Sequence, residues 1–269
     1  MADISPHELL MALRKIERAG HRETAKRVRS FASRVIRYAV ATLRADRDPA
    51  QLLRGALTAP VSRHHAAITD PEPLGALLRV IDGYPGWLTT RFALRIAPHV
   101  FLRPGELRQA EWSEIDFENA IWRLPAHRTK MRLPHSVPLS RQVLAMLTEL
   151  SAATGGKNLI FASSCARRKP ISENTLNQAL RRLGYTTEDA TAHGFRATAS
   201  TLLNESGLWS PDAIERALAH RDPHAGRAVY HRGQHWAERV AMAQWWSDYL
   251  DELRRDAPAW RGSAQETST

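Results

Sequence analysis

The stretch TAHGFRATAS, residues 191–200, constrains this chain more than any other. Its small-residue run, Ala197-Thr-Ala-Ser200, reads as a buried helix, because short side chains lose little conformational freedom on burial. His193 and Arg196 stand at the start of that helix, about one helical turn apart, so both can address one site. Downstream, LAHRDPHAGRAVY at 218–230 sets His220 ten residues before Tyr230. Far upstream, FLRPGELRQAEW at 101–112 supplies Arg103 in the pattern Arg-x-x-Glu-Leu, directly before Pro104. The rest of the chain is read as what places these groups around one site.

Charge points to a polyanion. The 269 residues carry 38 Lys+Arg against 28 Asp+Glu, a net charge of +10. Such an excess favours nucleic acid, since neutralising phosphates releases condensed counterions. An anionic membrane surface is the rival, but no basic amphipathic anchor flanked by apolar runs is present. No apolar run approaches the roughly 18–20 residues of a membrane span, and MADISPHELL is not a signal peptide. The lone Cys165 excludes an internal disulfide and fits a reducing cytosol.

Helical periodicity dominates the order of elements. Ser5 caps a predicted helix from Pro6 through Leu9, Leu10, Leu13 and Ile16, ended by Gly20. A second helix is predicted over 23–43, with Val28, Phe31, Val35, Ala39 and Leu43 lining one side. Lys26, Arg27, Arg34 and Arg37 lie mostly elsewhere on it, and charge so nearly of one sign predicts a phosphate-facing surface. DRDPAQLLRGAL, 46–57, predicts another short helix, and TAPVSRHHAAITDPEPLG, 58–75, a linker. Asp70 then caps a helix through Leu77, Leu78 and Ile81, closed by GYPG. Residues 87–98 predict a further apolar helix, and Pro104 opens the one containing GELRQAEW. Between 112 and 139 the pattern changes: WSEIDF, AIWRLP and HSVPLS predict a small antiparallel meander, with Lys130 in HRTKMR between its second and third strands. Helices return at 140–150 and 172–183, and Val240, Met242, Trp245, Trp246 and Leu250 mark an apolar C-terminal helix.

Breaking a phosphodiester without a metal needs cations on the non-bridging oxygens, an acid for the leaving oxygen and a nucleophile in line. Arginine suits the first task because its planar fork holds two oxygens and stays charged. A phenol with a pKa near 10 needs such a cationic surround to favour the phenolate. Residue types leave some choices open. Arg128 and Arg132 flank Lys130, Arg108 neighbours Arg103, and Tyr185 and Tyr249 are further phenols, read as core. The pairs His220/His224 and His231/His235 have metal-like spacing, but Pro223 breaks the first and neither has a third ligand. No Walker, GxGxxG or G-x-S-x-G motif occurs.

Taken together, Arg103, Lys130, His193-x-x-Arg196, His220 and Tyr230 resemble the tyrosine recombinase (phage integrase) family, in its prophage and satellite-phage branch, over about residues 5–250. That resemblance implies a mainly helical fold with a small antiparallel β-meander, in two domains. Residues 1–66 would be a helical core-type DNA-binding domain, 67–255 the catalytic domain and 256–269 a flexible tail. It implies that Arg103 and Arg196 hold the scissile phosphate, Lys130 protonates the leaving 5′ oxygen, His193 assists proton transfer at the tyrosine and His220 hydrogen-bonds a phosphate oxygen. Tyr230 would attack, leaving a 3′-phosphotyrosyl link. Lys26, Arg27, Arg34, Arg37, Arg128 and Arg132 are the expected DNA-contacting residues. No cofactor and no metal are implied. The implied partners are double-stranded DNA with core-type attachment sites, further copies of the chain up to a tetramer, and accessory DNA-bending proteins, in a bacterial cytoplasm and with no membrane. Related integrases carry an additional N-terminal arm-binding domain, which this sequence is expected to lack, as a fragment, an engineered form or a shortened relative. The rival readings are a catalytically idle DNA-binding remnant and a bare helical interaction module.

Overall fold

Capping side chains decide where several helices begin. In a computed structural model, which describes residues 4–59, 66–156, 158–166, 168–220 and 235–256, four hydroxyl or carboxylate oxygens accept from the first turn of a helix. Ser5 takes the Glu8 amide at 3.2 Å, Asp70 that of Glu72 at 3.4 Å, and Ser140 and Ser210 those of Val143 and Ala213, each at 3.3 Å. Proline follows at Pro6, Pro71 and Pro211, where its missing N–H costs nothing. Glu8 returns the bond to the Ser5 amide at 2.9 Å, closing a capping box.

The chain divides into two units, Met1–His64 and His65–Thr269. In the first, α1 (Pro6–Arg18) and α2 (Arg22–Ala41) pack through Leu13, Ala25, Ile36 and Ala39. The sequence expected Val28, Phe31, Val35, Ala39 and Leu43 on the core side. The structure buries Ala39 but leaves Val28, Phe31 and Leu43 exposed. The apolar residues of α2 span more than one face, and the side bearing the small Ala25 and Ala39 admits the closest approach. The short helix expected in 46–57 is instead a run of turns, with i→i+3 bonds such as Leu53 N to Ala50 O at 3.3 Å. Asp48 holds it open to that shape, accepting from the Ala50 amide at 2.9 Å and from the Ser33 hydroxyl at 2.5 Å. Of the expected linker, residues 60–65 lie outside the described residues.

In the second unit, α3 (Pro71–Asp82), α4 (Leu88–Val100) and α5 (Pro104–Arg108) precede a three-stranded antiparallel sheet. Its order is β1 (Ile115–Asp116), β2 (Ile121–Leu124), β3 (His135–Pro138), with Trp122 opposite Val137 and Leu124 opposite His135. Then follow α6 (Arg141–Thr154), α7 (Thr175–Arg182), α8 (Gly194–Glu205), α9 (Pro211–Ala217) and α10 (Trp236–Asp256). This is the mainly helical fold with a small meander that the sequence predicts. Helix α4 is its centre, with Phe92, Ala93, Leu94 and Ile96 fully buried. Each such large side chain contributes about 1.5–3 kcal/mol of transfer free energy. α10 closes over α3, α4 and α9, and Trp246 donates its indole N–H to the Pro98 carbonyl at 2.8 Å. Among the described residues no helix is long and apolar enough to cross a membrane.

One glycine is set by close approach. A Cβ on Gly194 would lie 2.0 Å from the Ala66 carbonyl oxygen. Gly194→Ala is therefore expected to destabilise the chain by about 2 kcal/mol or more, read by urea denaturation, because backbone rather than a flexible side chain would have to move.

A buried histidine makes stability depend on pH. His99 of α4 hydrogen-bonds the Ser247 hydroxyl through Nδ1 at 2.9 Å, and Ser247 donates on to Ser140 at 2.8 Å. Burial pulls His99 from 6.5 down to about 4; Asp251 opposes the shift, and Arg254 and Arg95 add to it. With the folded pKa below the unfolded one, the unfolded chain takes the proton first, so stability falls as pH drops from about 6.5 through 4. The slope from this group approaches about 1.4 kcal/mol per pH unit. In denaturation between pH 7 and 4.5 the slope should be shallower in His99→Gln than in the wild type by up to about that amount, the remainder including His135, which burial likewise pulls down to about 4.

Candidate active site

Helix α9 ends in a reverse turn that gathers the polar groups of the second unit. Ala219 takes the left-handed conformation, φ 49°, which Schellman-type helix ends usually give to glycine. Its amide bonds the Arg216 carbonyl at 3.1 Å, and the His220 amide bonds that of Glu215 at 3.0 Å. The carbonyls of Leu218 and Ala219, at the negative end of the helix dipole, are each taken by a side chain from a different element. Arg196 of α8 donates from Nη2 to Leu218 at 2.6 Å, and Arg103, the N-cap of α5, donates from Nη2 to Ala219 at 3.2 Å.

Arg196 is only 6% exposed. Its Nη1 donates to the Phe101 carbonyl, which a left-handed residue at the end of α4 (φ 52°) turns toward it. Burial, then the charge of Arg103, pulls its pKa down to about 10, so it remains charged at neutral pH. Its Nη2 also lies 3.4 Å from Nε2 of His220. The other ring nitrogen of His220, Nδ1, is 2.7 Å from Glu215 Oε2, an acceptor that keeps the proton on Nδ1 in the neutral ring. Arg103 is held from the far side. The buried Glu106 accepts its amide at 3.0 Å and its Nη1 at 3.1 Å, and lies 3.4 Å from the Lys130 amide.

Arg103, Arg196 and His220 are thus brought together around one turn, and Lys130 is joined to them through its backbone at Glu106. The Lys130 side chain is exposed in the β2–β3 connection. His193 is the half-buried N-cap of α8, one turn before Arg196. Arg128 points inward, 2.7 Å from the buried Glu114 and 2.9 Å from the Glu106 carbonyl, whereas Arg132 is exposed. Tyr230 lies outside the described residues, as do His224 and His231. Two further phenols are held away from ionisation: burial pushes Tyr185 up to about 12 and raises Tyr249. Lys26, Arg27, Arg34 and Arg37 belong to the first unit, all exposed on α2. At about 100° per residue the four fall within an arc of roughly 100°.

Sequence reasoning passed over Glu106 and Glu215. Glu106 had a signal, since it is the glutamate of Arg-x-x-Glu-Leu and stands at the third helical position, where a carboxylate reaches back to the cap amide. Glu215 had none, because its partner His220 depends on how α9 ends.

Residues 68–234 match the phage integrase family, and residues 1–56 match the phage integrase central domain. This chain belongs to the phage integrase family. It is 40% identical over 268 residues to the putative protein IntB of Escherichia coli (strain K12), across 94% of this chain and 67% of that protein. It is 40% identical over 263 residues to the integrase of Enterobacteria phage P4, across 91% of this chain and 59% of the phage protein. This integrase-family chain therefore spans between about six-tenths and two-thirds of the length of these curated relatives. Among solved structures, the lambda integrase(75–356) dimer bound to a COC′ core site superposes with a TM-score of 0.64 at 21% identity, covering 82% of this chain and 81% of that one. The Tn1549 transposon integrase in complex with circular intermediate DNA gives 0.62 at 15% identity, covering 89% and 85%. These likenesses establish the fold.

The strained turn predicts its own substitutions. Ala219→Gly should stay within about 1 kcal/mol of the wild type, relief of the left-handed strain offsetting the added chain entropy. Ala219→Val should cost about 2 kcal/mol, since a β-branched residue fits that conformation worst. Guanidinium denaturation of the two variants measures both.

Proposed function

We propose that this chain is a site-specific DNA strand transferase that cuts and rejoins DNA through a 3′-phosphotyrosyl intermediate, integrating or excising a mobile element. The observation that carries this reading is the convergence of Arg103, Arg196 and His220 on consecutive residues at the end of α9. Each guanidinium has five N–H donors, and the backbone contacts orient the forks without using all of them. The scissile phosphate would sit against the remaining donors. The Tyr230 phenolate would attack phosphorus, the bond to the 5′ oxygen would break, and Lys130 would give that oxygen its proton while His193 assists at the tyrosine. His220 would hydrogen-bond a phosphate oxygen, its ring oriented by Glu215 on Nδ1. The phosphotyrosyl ester keeps the energy of the original bond, so rejoining needs no ATP. Cations fill the charge-neutralising role here, and Glu106 and Glu215 are spent on Arg103 and His220, which supports a metal-independent step.

In this reading residues 1–66 form the core-type DNA-binding domain and 67–255 the catalytic domain. The α2 arc of Lys26, Arg27, Arg34 and Arg37 contacts phosphates, and Arg132 does so beside Lys130. Arg128 serves by bracing the hairpin. The chain assembles with further copies on DNA, up to a tetramer, with accessory DNA-bending proteins where attachment sites require them.

Tyr230→Phe is expected to abolish covalent protein–DNA adducts on nicked duplexes while leaving DNA affinity within about threefold, since only the attacking oxygen is lost. Adducts that persist in this variant would move the nucleophile to another residue. Cleavage should also continue in excess EDTA; loss on chelation with recovery on adding Mg²⁺ would contradict the metal-independent step.

A further inference from the structure

The turn that carries Lys130 is closed by a side chain that the proposed reaction does not use. Thr129 is buried, 7% exposed, and its Oγ1 reaches across the turn to Leu133. It accepts the Leu133 amide at 3.1 Å, and its one proton is shared between the Leu133 carbonyl at 2.7 Å and the Ala126 carbonyl at 3.1 Å. Inside that loop the Arg132 amide bonds the Thr129 carbonyl at 3.1 Å, with Arg132 left-handed at φ 54°. The residues on either side of Thr129 are held by buried carboxylates: Arg128 by Glu114 at 2.7 Å, and the Lys130 amide by Glu106 at 3.4 Å. The Lys130 ammonium itself has no hydrogen-bond or ion-pair partner among the described residues.

We propose that Thr129 is a positioning residue for the leaving-group acid: its hydroxyl closes residues 129–133 into one turn and so aims Lys130 at the 5′ oxygen. This rests on the strand-transfer reading given above. A lysine side chain is long and free to rotate, and this one has no described partner at its tip. Only its backbone origin can be fixed in advance. Glu106 fixes that origin at the amide. Thr129 fixes the direction in which the chain leaves, because the turn cannot open without breaking both bonds to Leu133. Threonine suits the task through its β-branch, which restricts χ1, and through a hydroxyl that donates and accepts at once. Losing those bonds need not unfold the chain, since Leu133 is 64% exposed and water can take its amide and carbonyl. In the reaction the Tyr230 oxygen bonds to phosphorus, the bond from phosphorus to the 5′ oxygen breaks, and the Lys130 ammonium gives that oxygen its proton. Thr129 touches none of these atoms; it acts through the turn.

The test compares Thr129→Val, which keeps the shape and loses the hydroxyl, with Thr129→Ser, which keeps the hydroxyl, and with Lys130→Met, which removes the acid. Nicked duplexes recovered from a random library by covalent capture with the wild-type chain are remade with either oxygen or sulfur at the scissile 5′ position. Thiols are far stronger acids than alcohols, so the sulfur leaves as a thiolate without a donated proton. DNA affinity, melting temperature and single-turnover cleavage rate are measured for each, with cleavage assayed below the lowest melting temperature. A positioned acid supplies roughly 100-fold or more, so Thr129→Val should cleave the oxygen substrate about 30-fold more slowly at unchanged DNA affinity. On the sulfur substrate it should come within about threefold of the wild type, as Lys130→Met should. Thr129→Ser should stay within about threefold on both. Wild-type rates on oxygen in Thr129→Val would overturn the proposal, as would a defect equal on oxygen and sulfur, or a Ser variant as slow as the Val variant. If Thr129→Val does not fold, Thr129→Ala takes its place under the same criteria; if neither folds, the hydroxyl is an element of stability and the proposal is overturned. Failure of the wild type to capture any duplex would instead sink the strand-transfer reading, and failure of sulfur to rescue Lys130→Met would sink the assignment of Lys130 as the acid; either takes this inference with it.

Discussion

The second unit depends on how a seven-residue helix ends. Once α9 turns at Ala219, the carbonyls of Leu218 and Ala219 lie in sequence at the negative pole of the helix, and the guanidinium groups of Arg196 and Arg103 satisfy them. An unmet buried carbonyl is costly, and an unpartnered buried guanidinium more so. Each group therefore fixes the other. The price is a non-glycine residue in the left-handed region, of order 1–3 kcal/mol. The result is that Arg103 and Arg196, which the chain separates by more than ninety residues, meet at adjacent carbonyls.

A second layer of carboxylates keeps the cluster from being a bare concentration of charge. Glu106 engages Arg103 from the side away from the turn and reaches the Lys130 amide, Glu215 engages His220, and Glu114 takes Arg128 together with the Trp122 indole N–H at 2.9 Å. Glu106 and Glu114 are both buried, where an ion pair is costly to break although it adds little net stability. Their effect is on placement. They hold long, flexible side chains in one orientation, which is what a preorganised electrostatic site requires.

Much of this was legible in the sequence, and the reasons for the rest are physical. Caps at Ser5 and Asp70 and prolines at first helical positions are local signals, and the helices start where those residues say. The strand-rich stretch at 112–139 stands out because its period differs from everything around it, and the meander lies there. Local signals fail where a choice depends on a partner. α2 offers apolar residues over a wide arc, and only the docking of α1 selects Ala25, Ile36 and Ala39 over Phe31 and Leu43. The turns at 48–55 have helical composition but are bent by Asp48, whose partner Ser33 is fifteen residues away. Arg128 and Arg132 look alike beside Lys130, yet one faces Glu114 and the other solvent. Glu215 carries no pattern at all, since its importance comes from the end of α9.

The central claim is that this helix end builds one phosphate-binding site out of Arg103, Arg196 and His220. The most direct measurement is a crystal structure of the full chain with tungstate, a phosphate-sized anion visible by its anomalous signal. The account predicts one tungstate within about 3 Å of donors from all three side chains, with Arg196 still bonded to the Leu218 carbonyl and Arg103 to that of Ala219. Separate anions on the two arginines, or an anion bound only after they leave those carbonyls, would contradict it.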